Sequence, residues 1–197
     1  IFHAEINNEK GYFGIHEVIN NLSKKMIRRH PHVFKDNSKQ SSLKKIDKNW
    51  TKIKQKERID RGYKYMLEDI PLALPAMTRS LKLQKRAAEN GFDWEKAVDA
   101  YKKISEEKME LEVAMAKGDN IEIEEEIGDL IFSVINLSRK MKIDPENALR
   151  LTNKKFLERV NYIEKELLKV GRKFNETSLE ELEELWINAK KEIRQAK

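Results

Sequence analysis

The stretch WEKAVDAYKKISEEKMELEVAMAKGDNIEIEEEIGDLIFSVINLSRKM (94–141) decides the fold class. In its first half, apolar residues fall at 94, 97, 98, 101, 104, 111 and 115. In its second half they fall at 123, 127, 130, 131, 134, 137 and 141, with Ser138 on the same stripe. Steps of three and four are the period of an α-helix, not the alternation of a strand. KGDN (117–120) interrupts the pattern with residues that favour a helix end. Two helices joined by so short a break are expected to be antiparallel neighbours.

Further helices are expected on both sides. In IDPENA (143–148), Asp144 suits an N-cap, Pro145 the first helical position and Glu146 the first turn. That helix is expected to reach about Val170, where GRKFNETS (171–178) breaks it. Ser178 then caps a last helix, with Glu180 and Glu181 at its electropositive end. Upstream, Asn90 and Gly91 of NGFD (90–93) close a helix over roughly 75–89, and Asp93 is expected to cap the next one. Pro71 and Pro75 precede that helix. Residues 50–68 read as a basic helix and 35–49 as a polar linker. No strand-like alternation occurs, and 7 Gly and 4 Pro in 197 residues are too few for the turns of a β fold. The expected fold is all-α, an antiparallel helical bundle.

The absence of Cys excludes a disulfide scaffold, a thiolate zinc site and a thiol nucleophile. No apolar run approaches the ~18–20 residues that span a bilayer, so no membrane partner is expected. No signal peptide is visible, and a cytoplasmic setting is expected. Charge is segregated: residues 1–70 carry a net +7, 106–129 a net −8, and 130–197 a net +4. An acidic block followed by a basic one can hold a cation and an anionic ligand together, although charged helix faces are more often simply solvated.

A weak repeat joins the two ends of the chain. Shifted by 130 residues, Ile1 and Phe2 lie on Ile131 and Phe132, and Lys24, Lys25 and Arg29 lie on Lys154, Lys155 and Arg159. The expected organisation is a remnant, the back half of a first unit, over 1–34; a linker and basic helix over 35–70; and a complete unit over 71–197. The chain opens at Ile1 in mid-pattern, and an N-terminally truncated fragment is expected.

Glu106, Glu107 and Glu110 stand on one predicted helix, Glu126 and Asp129 on the next. Glu107/Glu110 and Glu126/Asp129 are i, i+3 pairs, neighbours on a helix surface. Both pairs are expected to line an exposed rim of one helix–helix seam. Carboxylates so crowded repel unless a cation joins them. A hard divalent ion is the natural candidate, and Mg²⁺ prefers carboxylates together with water and phosphate oxygens. The bland alternative is a solvated acidic face. Gly128, inside the second helix, invites close approach by another helix or by a ligand, and helix packing is the simpler reading.

These residues, with LPAMTRSLKLQKRAAENGFDW (74–94), NKKF (153–156) before Arg159, Trp186, and KKMIRRHPHVF (24–34), resemble the MazG family of nucleoside triphosphate pyrophosphohydrolases. The family's E-E-x-x-E…E-x-x-D motif falls on Glu106, Glu107, Glu110, Glu126 and Asp129. Glu122 and Glu158 stand where relatives offer basic residues. The resemblance implies hydrolysis of a nucleoside triphosphate to monophosphate and pyrophosphate, in a nucleotide-pool housecleaning role. It implies Mg²⁺, with Mn²⁺ as a substitute, on Glu107, Glu110, Glu126 and Asp129, and a homodimer. Lys103, Lys155 and Arg159 would meet phosphates, and Trp186 the base or ribose, though by pattern alone Trp186 reads as core beside Leu182 and Leu185. Glu106 and Glu107 are the catalytic candidates, and which carboxylate acts as general base stays open. His30 and His32 read as structural. The alternative from another class is a helical adaptor or nucleic-acid binder using the basic 1–70 segment. Its aromatic residues are few, and it has no use for the carboxylate set.

Overall fold

The structure is a computed structural model and describes residues 1–34 and 43–195. The described residues form helices and one 3₁₀ turn, with no strand among them, so the all-α expectation holds. The chain divides into two compact units, Ile1–Asp69 and Ile70–Lys197.

The second unit begins with α5 (Ala76–Glu89), which ends at Asn90, followed by Gly91 at φ +92°. The hairpin α6 (Ala97–Lys117) and α7 (Asn120–Lys140) follows. Gly118 adopts a left-handed conformation at φ 74° and closes α6. Asp119 then caps α7 by accepting from the Ile121 N–H at 2.9 Å. Only two residues separate two long helices that pack on each other, so they run antiparallel. α5 packs on α7, and α8 (Pro145–Lys169) packs mainly on α9 (Leu179–Gln195). Asp144 caps α8 at the Asn147 N–H (3.0 Å), with Pro145 at the first helical position. Ser178 caps α9 as expected, and Glu181 returns the bond, each side chain accepting from the other's backbone N–H at 3.3 Å. Buried apolar positions on these helices include Ala100 and Ala114 on α6, Ile135 on α7, Ile163 and Leu167 on α8, and Ala189 on α9. Alanines at such positions let helix backbones approach closely, which thins the core but tightens its crossings.

One expectation is corrected here. α6 starts at Ala97, and its N-cap is Lys96, which makes no side-chain cap bond. Asp93 is therefore no cap. Its carboxylate is taken by Arg139, at the C-terminal end of α7, and by Lys140 at 3.2 Å. These two cations, Arg139 foremost, hold the Asp93 carboxyl below its ordinary range. A carboxylate with a depressed folded pKa adds stability above its unfolded pKa and loses it as pH falls through the folded value. Asp93→Asn is thus expected to cost about 2 kcal/mol at neutral pH, leaving the mostly buried Arg139 guanidinium short of a partner. The gap from the parent protein should narrow on acidification below about pH 4, and urea melts at pH 7 and pH 3 read it directly.

The first unit contains α1 (Phe2–Glu9), α2 (Ile15–Arg29), α3 (Pro31–Phe34) and α4 (Leu43–Asp60). α4 begins inside the stretch expected as linker and ends earlier than the expected helix over 50–68; residues 35–42 of that linker lie outside the described residues. Arg28 and Arg29 at the end of α2 both grip Glu57 of α4, Arg28 Nε donating at 2.7 Å and Arg29 Nε at 3.0 Å. His30 packs on Trp50 at 5.4 Å between ring centroids, and its Nδ1 lies 2.9 Å from the Met26 carbonyl oxygen.

Candidate active site

The α6–α7 hairpin carries the acidic constellation. Counting outward from the turn at 118–119, Glu107 stands eleven residues back on α6 and Asp129 ten residues on along α7, so the two come level, with Glu126 one turn nearer the hairpin end. One carboxylate oxygen from each of Glu107, Glu126 and Asp129 lies within 4.8 Å of the other two. That is the span of oxygens around one hard divalent ion. Glu110 is exposed and sits beside this trio, its carboxyl held above the ordinary range chiefly by hydrogen bonding with Glu107.

The exposed rim expected from the sequence is corrected at one position. Glu107 is only 5% exposed, whereas Asp129 is open to solvent. A buried carboxylate needs a partner. Lys103, one turn earlier on α6, supplies it: Nζ lies 2.9 Å from Glu107 Oε1 and 2.7 Å from Glu106 Oε1. The two carboxylates, Glu106 first, raise the lysine's pKa, so it stays cationic. Glu106 itself is exposed and outside the trio. Glu126 has an oxygen, Oε2, that is buried with no hydrogen-bond partner. An orphaned oxygen on a carboxylate that gathers with two others calls for a cation, so the donor set fits a hard metal ion.

Gly128 answers a second expectation. A Cβ added there meets nothing within 4 Å, so no helix among the described residues packs against it, and packing within one chain does not account for the glycine.

A second group of side chains gathers on α8 and α9. The Arg159 guanidinium lies over the Trp186 ring at 4.9 Å, and Phe156 meets the same ring at 5.6 Å between centroids. Trp186 is half-buried, so it is neither the core residue read from its pattern nor a free platform. Lys155 is exposed, and neither it nor Arg159 has an ion-pair partner among the described residues. Neither charge is therefore balanced by a carboxylate among the described residues, and Arg159 rests only on the Trp186 ring. Glu158 pairs with Lys154 at 3.8 Å, and Glu122 pairs with Lys117 at 2.7 Å beside the hairpin turn.

Sequence reasoning missed two features here. Lys190 Nζ stands 5.9 Å from the Trp186 ring, and its signal was the i, i+4 spacing from Trp186. Gln84 of α5 is 6% exposed, and its Nε2 donates to the Phe132 carbonyl at 2.9 Å, just past Asp129 on α7. An isolated glutamine in a helical pattern gave no such signal.

A sequence model of the MazG nucleotide pyrophosphohydrolase domain matches residues 1–34 and 87–163, which include all five clustered acids. The chain belongs to the MazG family. It is 42% identical over 190 residues to the nucleoside triphosphate pyrophosphohydrolase/pyrophosphatase MazG of Thermotoga maritima, covering 96% of this chain and 71% of that one. It is 37% identical over 194 residues to the nucleoside triphosphate pyrophosphohydrolase of Escherichia coli (strain K12), covering 98% and 73%. It is 41% identical over 197 residues to the Bacillus subtilis protein YabN, where the match spans 40% of the longer chain. No helix among the described residues is long and apolar enough to cross a membrane.

Proposed function

We propose that this MazG-family chain hydrolyses nucleoside triphosphates between the α- and β-phosphates, releasing nucleoside monophosphate and pyrophosphate. The observation that carries the reading is the trio Glu107, Glu126 and Asp129, within 4.8 Å of one another and drawn from both arms of one hairpin. These residues, with Glu110 beside them, would hold Mg²⁺, or Mn²⁺ in its place. Such an ion, when bound, polarises phosphate oxygens and lowers the pKa of water. The residues of the chain do the rest. Lys155 and Arg159 bind the polyphosphate, Arg159 with its forked donors. Trp186 fixes Arg159 through its ring face and offers its remaining surface to the base or ribose. Glu106 stands outside the metal set, next to Lys103, and is the candidate to take a proton from the attacking water. Trp186 and Arg159 lie on different helices, so docking of α9 on α8 is what assembles this half of the site.

The test is a product assay on mixed triphosphates with Mg²⁺ and with excess EDTA. Monophosphate and pyrophosphate in equal amounts, only with the metal, are expected. Release of orthophosphate, or equal turnover in EDTA, overturns the reading.

A second expectation concerns the phosphate clamp. Lys155→Ala and Arg159→Ala should each weaken binding of a non-hydrolysable triphosphate analogue about tenfold, and monophosphate binding far less. Calorimetric titration of both ligands checks this, and equal losses would remove these residues from the β- and γ-phosphates.

The assembly proposed is a homodimer of the 71–197 unit, with 1–34 belonging to a separate MazG-like unit. The support is the outer face of α7, where Ile127, Ile131 and Val134 are each nearly half exposed at i, i+4, i+7 spacing.

A further inference from the structure

Lys103 is bonded to the acid that the metal reading needs most. Its Nζ sits 2.9 Å from Glu107 and 2.7 Å from Glu106, and Glu107 is the buried member of the trio. Glu126 and Asp129 complete the trio on α7 and form no ion pair among the described residues. The cluster is thus neutralised from one side only, by a side chain on a flexible stem. An ammonium and a divalent ion placed on the same carboxylate repel each other, so each weakens the other's hold.

We propose that Lys103 is the resident counter-ion of the acidic trio, exchanging its place on Glu107 for the triphosphate when a divalent ion occupies the trio. This inference rests on the metal reading above. Lys103 then has two partners in succession. Without metal it neutralises the buried Glu107 and keeps the α6–α7 hairpin from being forced open by like charge. With metal it yields Glu107, and its stem, which is one-third exposed, swings the ammonium outward while Glu106 remains beside it. A positive charge released at the edge of the trio lies where the anionic tail of a metal-bound triphosphate must pass. The exchange therefore links two events: the protein gains a phosphate-binding cation only after the metal site is filled. Ordered binding, metal first, follows from one side chain.

The experiment is Mn²⁺ binding to the full chain without nucleotide, read by electron paramagnetic resonance of the free ion. Lys103→Gln removes the competitor and should bind Mn²⁺ roughly tenfold more tightly, the scale of one unit charge at contact distance in a partly wet site. Lys103→Arg grips Glu106 and Glu107 with a fork and should bind Mn²⁺ severalfold more weakly. With saturating Mn²⁺, Lys103→Gln should bind a non-hydrolysable triphosphate analogue about tenfold more weakly, opposite in sign to its metal effect. If Lys103→Gln fails to fold, the Arg variant alone still decides: unchanged or tighter Mn²⁺ binding overturns the exchange. Unchanged or weaker Mn²⁺ binding by the Gln variant, with the parent binding normally, likewise overturns the exchange and leaves the metal reading standing. No Mn²⁺ binding by any of the three proteins overturns both.

Discussion

Asp129→Asn should reduce pyrophosphate release by about three orders of magnitude while leaving the melting temperature nearly unchanged. A metal ion stabilises transition-state charge by several kcal/mol, and each 1.36 kcal/mol is a factor of ten, so losing it costs ~10³-fold. Asp129 is the trio member to choose because it is exposed, and the exchange of oxygen for an amide there disturbs no packing. Glu107→Gln should be equally inactive but also less stable. It leaves Lys103 with Glu106 alone and puts an amide in a buried place shaped for an ion pair. Turnover, thermal melts and Mn²⁺ binding of both variants separate the two effects. If Asp129→Asn and Glu126→Gln both turn over at the parent rate, the trio holds no catalytic metal.

Phe132→Glu should convert the proposed dimer to monomers. Phe132 is 40% exposed and lies about 100° round α7 from Ile131, flanking the face of Ile127, Ile131 and Val134, which are exposed by a similar fraction. Apolar area withdrawn from water contributes about 25 cal/mol per Å², so four such side chains on two copies supply a substantial share of a dimer interface. A carboxylate on the flank of that face, desolvated by the partner copy and without a counter-charge, costs more than the aromatic ring contributed. Light scattering at micromolar concentration gives the mass. Ile131→Glu serves as the second variant, since the Phe132 carbonyl also accepts from Gln84. A one-chain mass for the unmodified protein would sink the dimer.

Helix periods and polar caps were legible because they are local. Asp144, Ser178 and the Gly118–Asp119 break are each read from a few neighbouring residues, and each does in the structure what its chemistry dictates. Asp93 was misread because a cap and an ion pair draw on the same carboxylate. The choice between them is made by Arg139, 46 residues further along, which local reading cannot place. The grip of Arg28 and Arg29 on Glu57 is non-local in the same way. For the site, i, i+3 spacing identified which acids share a surface, but not their depth. Glu107 is buried by the way α7 lies across α6, a tertiary fact. Its partner Lys103 was available as an i, i+4 pair, yet the sequence reading sent that lysine to phosphate alone. Trp186 was ambiguous for a similar reason: the ring is shared with Phe156 and Arg159 on another helix, and no spacing within α9 shows it.

Gly128 sits in the middle of α7, between two members of the trio, with open space where its side chain would be. An alanine at such a position favours the helix by about 1 kcal/mol. Among the described residues nothing opposes that change: the backbone is helical and no neighbour stands in the way. The residue thus makes little sense as a choice for folding, and natural proteins tend to break local rules of this kind where they act rather than where they fold. Thermostability and function would then pull this single position in opposite directions. A search for a sturdier version of the protein would select alanine here early, and the loss would surface only in the presence of whatever presses against that bare stretch of backbone.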